Sequence, residues 1–355
     1  MKKSIIAIII IAILVGVLAG GFAIYSAKKN GNSNKSGGTN ISLGKDSSIK
    51  EIDISSSEIL ALSGNNDLYF IGNEEENNKL KKVASNVKNF ESETRYVTQD
   101  DVLHSKDTTI NNIKKCDNAL IAINNNDEAV LIRDLKNEII YSTDYYTVLK
   151  GYEMGDVIEK NVKELQFGFN LIAVLKNDNT LWVKFTGGSF QQLFNDVKDF
   201  YIGSRSTSIS ILKNDGSYFE YSFEYSDGSN GQVGNVIANG IEMFSTKGNF
   251  YKKNDGKWYM KRDEDNFVEL YVENGTKDII FYDMISGALS DDVLITVNSK
   301  NEFVIYILKD WRNGQREAQE IQRFEYNLNS IESIRNIIND KSFNSHMNLN
   351  KYTSD

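Results

Sequence analysis

The chain has two hydrophobic textures. One uninterrupted apolar run, Ser4 to Ala27, stands at the start. From about residue 50 onward, short runs of alternating apolar and polar residues are separated by turn dipeptides. At about 1.5 Å per residue the first run spans about 36 Å, enough for a hydrocarbon core of about 30 Å with some tilt. It exceeds the usual apolar stretch of a cleaved signal, about 7–15 residues. Gly21-Phe22-Ala23 offers a small-x-small cleavage site, so a cleaved signal is the alternative, but the length favours an anchor. Residues 1–27 are therefore expected to be a transmembrane signal anchor, with the lipid bilayer as partner of residues 4–27. Lys2 and Lys3 on one side nearly balance Lys28, Lys29 and Lys35 on the other. A two-lysine head directly on an apolar run is how export signals begin, which places the large part outside a bacterial cell membrane. Residues 28–49, rich in Gly, Ser, Asn and Lys, read as a flexible linker of roughly 25 Å r.m.s. reach.

The alternating texture predicts many short strands, and these strands repeat. NLIAVLKNDNTLWVKF (Asn170 to Phe185) and SISILKNDGSYFEYSF (Ser208 to Phe223) share one pattern. A β-rich run leads into Lys-Asn-Asp-Gly/Asn, and an aromatic-rich strand leaves it. Asn and Gly tolerate the positive φ that a tight hairpin demands. Related hairpins are centred near residues 67, 100, 127, 178, 215, 255 and 300. Between them a second element recurs: NVKNF at 86–90, NVKEL at 161–165, DVKDF at 196–200, TKDII at 276–280 and SIESI at 330–334. Each unit thus reads as linker strand, hairpin, outer strand. That suits a β-propeller blade, and the spacing of about 39 residues is near that of known blades; a solenoid of β-repeats, the competitor, would need a more constant period and a polar cap at each end. The interval from 100 to 127 is short for one, so the expectation is an all-β, six- or seven-bladed β-propeller over residues 50–340. NSIESIRNIIND (Asn329 to Asp340) carries Ile331, Ile334, Ile337 and Ile338 at helical spacing. It is expected to form either a short helix or a strand that closes the ring against residues 50–54. Residues 341–355 read as a polar tail.

DVKDFYIGSRSTSISILKNDGSYFEYSF (Asp196 to Phe223) and NVKELQFGFNLIAVLKNDNTLWVKF (Asn161 to Phe185) resemble the repeat of the regulator-of-chromosome-condensation family. Ser229-Asn230-Gly231-Gln232-Val233-Gly234 is similar to that family's Asn-x-x-Gly-Gln-Leu-Gly segment. The likeness is strong across about 160–235; elsewhere the outer glycines are missing. It implies a seven-bladed propeller and no particular activity, since one fold hosts many functions.

Charge narrows the partners. The net charge is −9, with +2 on residues 1–27 and +4 on 28–50, which leaves −15 on 51–355. Such an acidic body repels phosphate backbones and excludes nucleic acid as the expected partner. Cys116 is alone, so there is no disulfide framework, and its expected role is a small buried apolar side chain. His104 and His346 are the two histidines, too few and too far apart for a His-based metal site or a Ser-His-Asp triad. The absence of Pro fits the codon bias of an AT-rich genome.

The chemistry-bearing candidates each have a structural competitor. Asp178, Asp215 and Asp255 recur at one place in the repeat. A calcium or sialidase-type role is needed once, whereas turn capping is needed in every blade, so turn capping is expected. Asp263-Glu264-Asp265-Asn266 is acidic but lacks the alternate-residue spacing of a calcium loop. Trp182, Trp258, Tyr218, Phe219, Tyr251 and Tyr259 flank the turns; they suit sugar stacking, but aromatics also fill the core between blades. Tyr141, Tyr145, Tyr146 and Tyr152 lie in the longest inter-hairpin segment, which is expected to contact a partner. No residue is assigned a catalytic, cofactor or metal role. The resulting expectation is a non-enzymatic, membrane-anchored extracellular binding or scaffold module for a protein or glycan. An extracellular glycan-active hydrolase or lyase is the alternative, and an inward-facing sensor domain the third reading.

Overall fold

The computed structural model of the protein describes residues 47–72, 79–106, 108–116, 118–133, 135, 147–168, 171–202, 208–223, 232–234, 236–245, 250–263, 266–283, 292–308 and 318–339. The expected anchor (1–27), almost all of the linker and the tail (341–355) lie outside these residues. Among the described residues no helix is long and apolar enough to cross a membrane.

Among the described residues twenty-eight strands form seven four-stranded antiparallel sheets, each a meander of consecutive strands. The blades run over Ile49–Ala84, Val87–Asn111, Ile113–Glu159, Val162–Phe194, Val197–Val233, Ile241–Leu270 and Thr276–Glu325. The count is seven. The short interval near residue 100 is a complete blade whose last three strands have only four residues each.

The hairpin between the second and third strands of each blade explains the repeat. Asn66 donates its N–H to the carbonyl of Ser63, and Ser63 donates to that of Asp67. This is a type I turn closed by a left-handed residue. The left-handed position is filled by Asn66, Asp101, Asp127, Asn179, Gly216, Gly256 and Asn301, with φ between 58° and 81°. Asn, Asp and Gly are the residues that tolerate it. In five blades the carbonyl of that residue then accepts from the backbone N–H of the first residue of the next blade: Asn66 from Val87, Asp101 from Ile113, Asp127 from Val162, Asn179 from Val197 and Gly216 from Ile241. One residue therefore makes the turn and stitches two blades.

Among the described residues seven hydrophobic clusters fill the interior, one between each pair of neighbouring blades. Fully burying one of their aliphatic or Phe side chains contributes about 1.5–3 kcal/mol. Cys116 is buried as expected, with Asn89 of the preceding blade accepting from its backbone N–H at 2.7 Å.

The seventh gap departs from the other six. No described sheet mixes strands from the two chain ends. The turn carbonyl of Asn301 still accepts a stitch, from the Tyr326 N–H, but beyond it Leu328 donates to the carbonyl of Ser47 at 2.8 Å and Asn327 bridges Ser48. The chain then becomes helical over 331–339, here α1. This corrects the reading of 330–334 as a linker strand and decides between helix and strand for the segment. Ile331, Ile334 and Ile338 are buried with Ile52, Ile54 and Ile59 of blade 1 and Phe281, Ile295 and Phe303 of blade 7. Arg335, fully buried, donates to the carbonyls of Ser55 and Ser57 (3.4 and 3.0 Å). Glu332 accepts from the Leu80 N–H at 2.9 Å.

Candidate functional site

In each blade the first strand lies nearest the axis, since the first strands of neighbouring blades approach one another, as in blades 2 and 3, 4 and 5, and 7 and 1. Their second residues are Lys50, Lys88, Lys114, Lys163, Lys198, Glu242 and Lys277. The third residues include Glu51, Lys115, Glu164, Asp199 and Asp278. A backbone irregularity in the first strands places both residues on the unburied side, between apolar anchors such as Val197 and Phe200. The axis is thus lined by charge of both signs. Burial among the inner strands pushes the Glu51 and Asp199 carboxyls up, while Lys50 and, more weakly, Lys115 of blade 3 pull Glu51 down.

Most of these lysines are engaged at the turn end. Lys50 donates to Asn66 Oδ1 at 3.2 Å, Lys114 to Asp127 at 2.7 Å and Lys277 to Asn301 at 2.8 Å. Lys88 pairs with Asp101, and Lys198 donates to the carbonyl of Glu242 at 2.6 Å. Asn125 and Asn177 reach back to Asp101 and Asp127 of the preceding blades at 2.7 and 3.2 Å. These bonds rim one face of the ring. Side chains on the inner strands also satisfy the backbone edge that faces the axis: Gln166 donates to the carbonyl of Phe200 and accepts from the Ile202 N–H.

Asp178, Asp215 and Asp255 lie in that same rim as turn caps. Each accepts from the backbone N–H two residues on: Thr180 at 3.1 Å, Ser217 at 2.8 Å and Lys257 at 2.9 Å. Hydrogen bonds to Thr180 and Ser217 hold Asp178 and Asp215 below the usual carboxylate range. The Lys257 N–H does the same for Asp255. They cap the turns of three consecutive blades, 4, 5 and 6, one in each. Among the described residues no group of His, Cys, Asp and Glu is placed to hold a metal ion. Glu264 and Asp265 of the acidic cluster lie outside the described residues.

The aromatic candidates divide. Trp258, Tyr218 and Tyr251 are core: the Trp258 indole donates to the Thr276 carbonyl at 3.1 Å, tying blade 6 to blade 7. Tyr218 bridges Glu220, Ser210 and Tyr251. Burial and the nearby Glu220 push the Tyr251 hydroxyl up to about 12. Trp182, Phe219 and Tyr259 are half-buried, and Trp182 lies under Lys176 at 4.3 Å. Tyr141, Tyr145 and Tyr146 lie outside the described residues. Tyr152 is half-buried, and its hydroxyl accepts from Lys184 Nζ at 3.1 Å. His104 stacks on Tyr96 at 5.1 Å, and His346 lies outside the described residues.

The two faces of the ring differ. On the rim face, the second-to-third strand connections are three or four residues long in all seven blades. The opposite face carries the first-to-second and third-to-fourth connections. These vary from two residues to the whole of 132–156. The charged inner ring was not singled out in the sequence, though its signal was there: the Lys of the recurring Val-Lys element.

Comparison with known proteins adds no activity. No family model matches the chain, and no curated protein matches it. The crystal structure of Kluyvelomyces marxianus Hsv2 is similar with a TM-score of 0.48 and 10% identity, over 79% of this chain and 99% of that one. The computationally designed Ika8 protein is similar with a TM-score of 0.44 and 12% identity, over 79% and 88%.

Proposed function

We propose that this chain is a non-enzymatic binding or scaffold module displayed outside a bacterial cell. Residues 4–27 anchor it in the membrane, and it engages a protein or glycan through the face of the ring that carries the varied connections. Its blades are of the regulator-of-chromosome-condensation type. The observation that carries this reading is the asymmetry of the two faces. One carries second-to-third strand turns of three or four residues in every blade, and bonds from Asn125, Asn177 and Lys198 and from the turn carbonyls hold neighbouring blades together there. The other hangs connections of unequal length on the same rigid scaffold, the arrangement by which binding loops are usually presented. The apolar run and its two-lysine head support the anchor and the outward orientation.

Protease shaving of intact cells tests it, with immunoblotting for a C-terminal epitope in membrane and medium fractions. Loss of a membrane-bound, full-length band is expected. A band protected until the cells are lysed overturns the outward orientation and directs attention to cytoplasmic partners.

A further inference from the structure

The position five residues after the left-handed turn residue lies at the far end of the third strand, toward the face with the varied connections. It is Ile71, Ile132, Tyr221 and Tyr306 in blades 1, 3, 5 and 7, all buried. Lys106 and Lys261 fill it in blades 2 and 6, and Lys106 is exposed. In blade 4 it is Lys184, 8% exposed. Among the described side chains Lys184 is the one buried cation at this level.

Its surroundings follow from the register. Phe167 pairs with Ile172 and Ile172 with Lys184, so the three form one row across one face of the sheet. Val183 pairs with Gln191, which brings Phe190 to the end of that row. Ile172 belongs to the cluster shared with blade 3, and Phe167, Phe190 and Tyr152 pack half-buried against it. Tyr152 comes from the long connection of blade 3. Its ring centroid is 4.4 Å from Lys184 Nζ and its hydroxyl is 3.1 Å away. An ammonium has three N–H groups, and none of the ion pairs among the described residues involves Lys184. A buried cation is costly unless an anion meets it, and a packing role at this level is served by Ile or Tyr in four other blades.

We propose that Lys184 and Tyr152 form a binding site for a carboxylate-bearing sugar, a uronic acid unit of a glycan. The carboxylate accepts from Lys184 Nζ and from the Tyr152 hydroxyl, which turns from its present role as acceptor. The sugar face packs on the half-buried rings of Tyr152 and Phe190. This deepens the binding-module reading and rests on it. If shaving shows the domain outside and the site takes no acidic sugar, the present inference alone fails.

The test is titration of the solubilised full-length chain with an oligogalacturonate and, separately, with its neutral methyl ester, followed by ligand-observed NMR. Saturable binding of the acid is expected, with the ester weaker by about tenfold or more, as befits loss of a buried charge pair. Lys184→Met keeps the stem and removes the charge; it should weaken acid binding by about tenfold while the thermal midpoint holds. Tyr152→Phe keeps the ring and should weaken it by about threefold. Equal binding of acid and ester by the unaltered chain overturns the inference without reference to any variant. So does undiminished binding by Lys184→Met.

Discussion

The seam between blades 1 and 7 can be opened by one substitution. Ile334 is fully buried in α1, and the helix packs against both blades where no strand is shared. Ile334→Ala removes three carbons from a close-packed site, which costs about 2–5 kcal/mol. That is a large part of the roughly 5–15 kcal/mol that holds a domain folded. With about 2–4 °C lost per kcal/mol in a domain of this class, the thermal midpoint should fall by at least about 4 °C. Size alone does not identify the seam, because Ile211→Ala in blade 5 is also fully buried and falls in the same range. Hydrogen exchange separates the two. Ile334→Ala should speed exchange first at the Leu328 amide, bonded to Ser47, and at the Leu80 amide, bonded to Glu332. Ile211→Ala should leave both protected relative to the rest of the ring. Uniform acceleration throughout by Ile334→Ala, or a loss below about 1 kcal/mol, would refute the claim that the helix closes the ring.

Two further predictions concern the turns. Gly256→Ala places a side chain at φ +81° with nothing within 4 Å, so it should cost only the left-handed backbone penalty of about 1–2 kcal/mol. Gly216→Ala has the same φ but sets its Cβ 3.1 Å from the Ile241 carbonyl, so a thermal melt should place it clearly below Gly256→Ala. Asp178, Asp215 and Asp255 have lowered carboxyl pKa values in the folded ring. Their contribution is therefore present above the unfolded value of about 3.9 and is lost as pH falls through the folded one. Carboxyl NMR titrations should give midpoints below about 3.9 for all three, and a midpoint at or above it contradicts the capping role.

Much of the ring was legible in the sequence because it is local chemistry. The left-handed turn position accepts few residue types, so Asn179, Gly216 and Gly256 mark their hairpins plainly, and the cap role of the aspartates follows from the same geometry. The Lys-Asn-Asp turn recurs because it both turns the chain and stitches blades. Blade 2 was harder to read, since four-residue strands leave little alternation to detect. The segment at 330–334 resembled a linker strand because Ile331 and Ile334 also suit the apolar anchors of one, and only contact with two blades selects the helix. Lys184 was invisible for a different reason. A lysine at an alternate strand position reads as solvated, and its burial depends on Tyr152, thirty-two residues away and brought in by tertiary packing.

The most direct test of a binding module with one working face is site-specific photo-cross-linking in intact cells. A benzophenone side chain at Glu93 or Ser189 sits on the face with the varied connections; at Asn126, Asp178 or Asp255 it sits on the turn rim. The account predicts a discrete cross-linked adduct from the first two positions and none from the last three. Adducts confined to the turn rim, or none from either face, would contradict it.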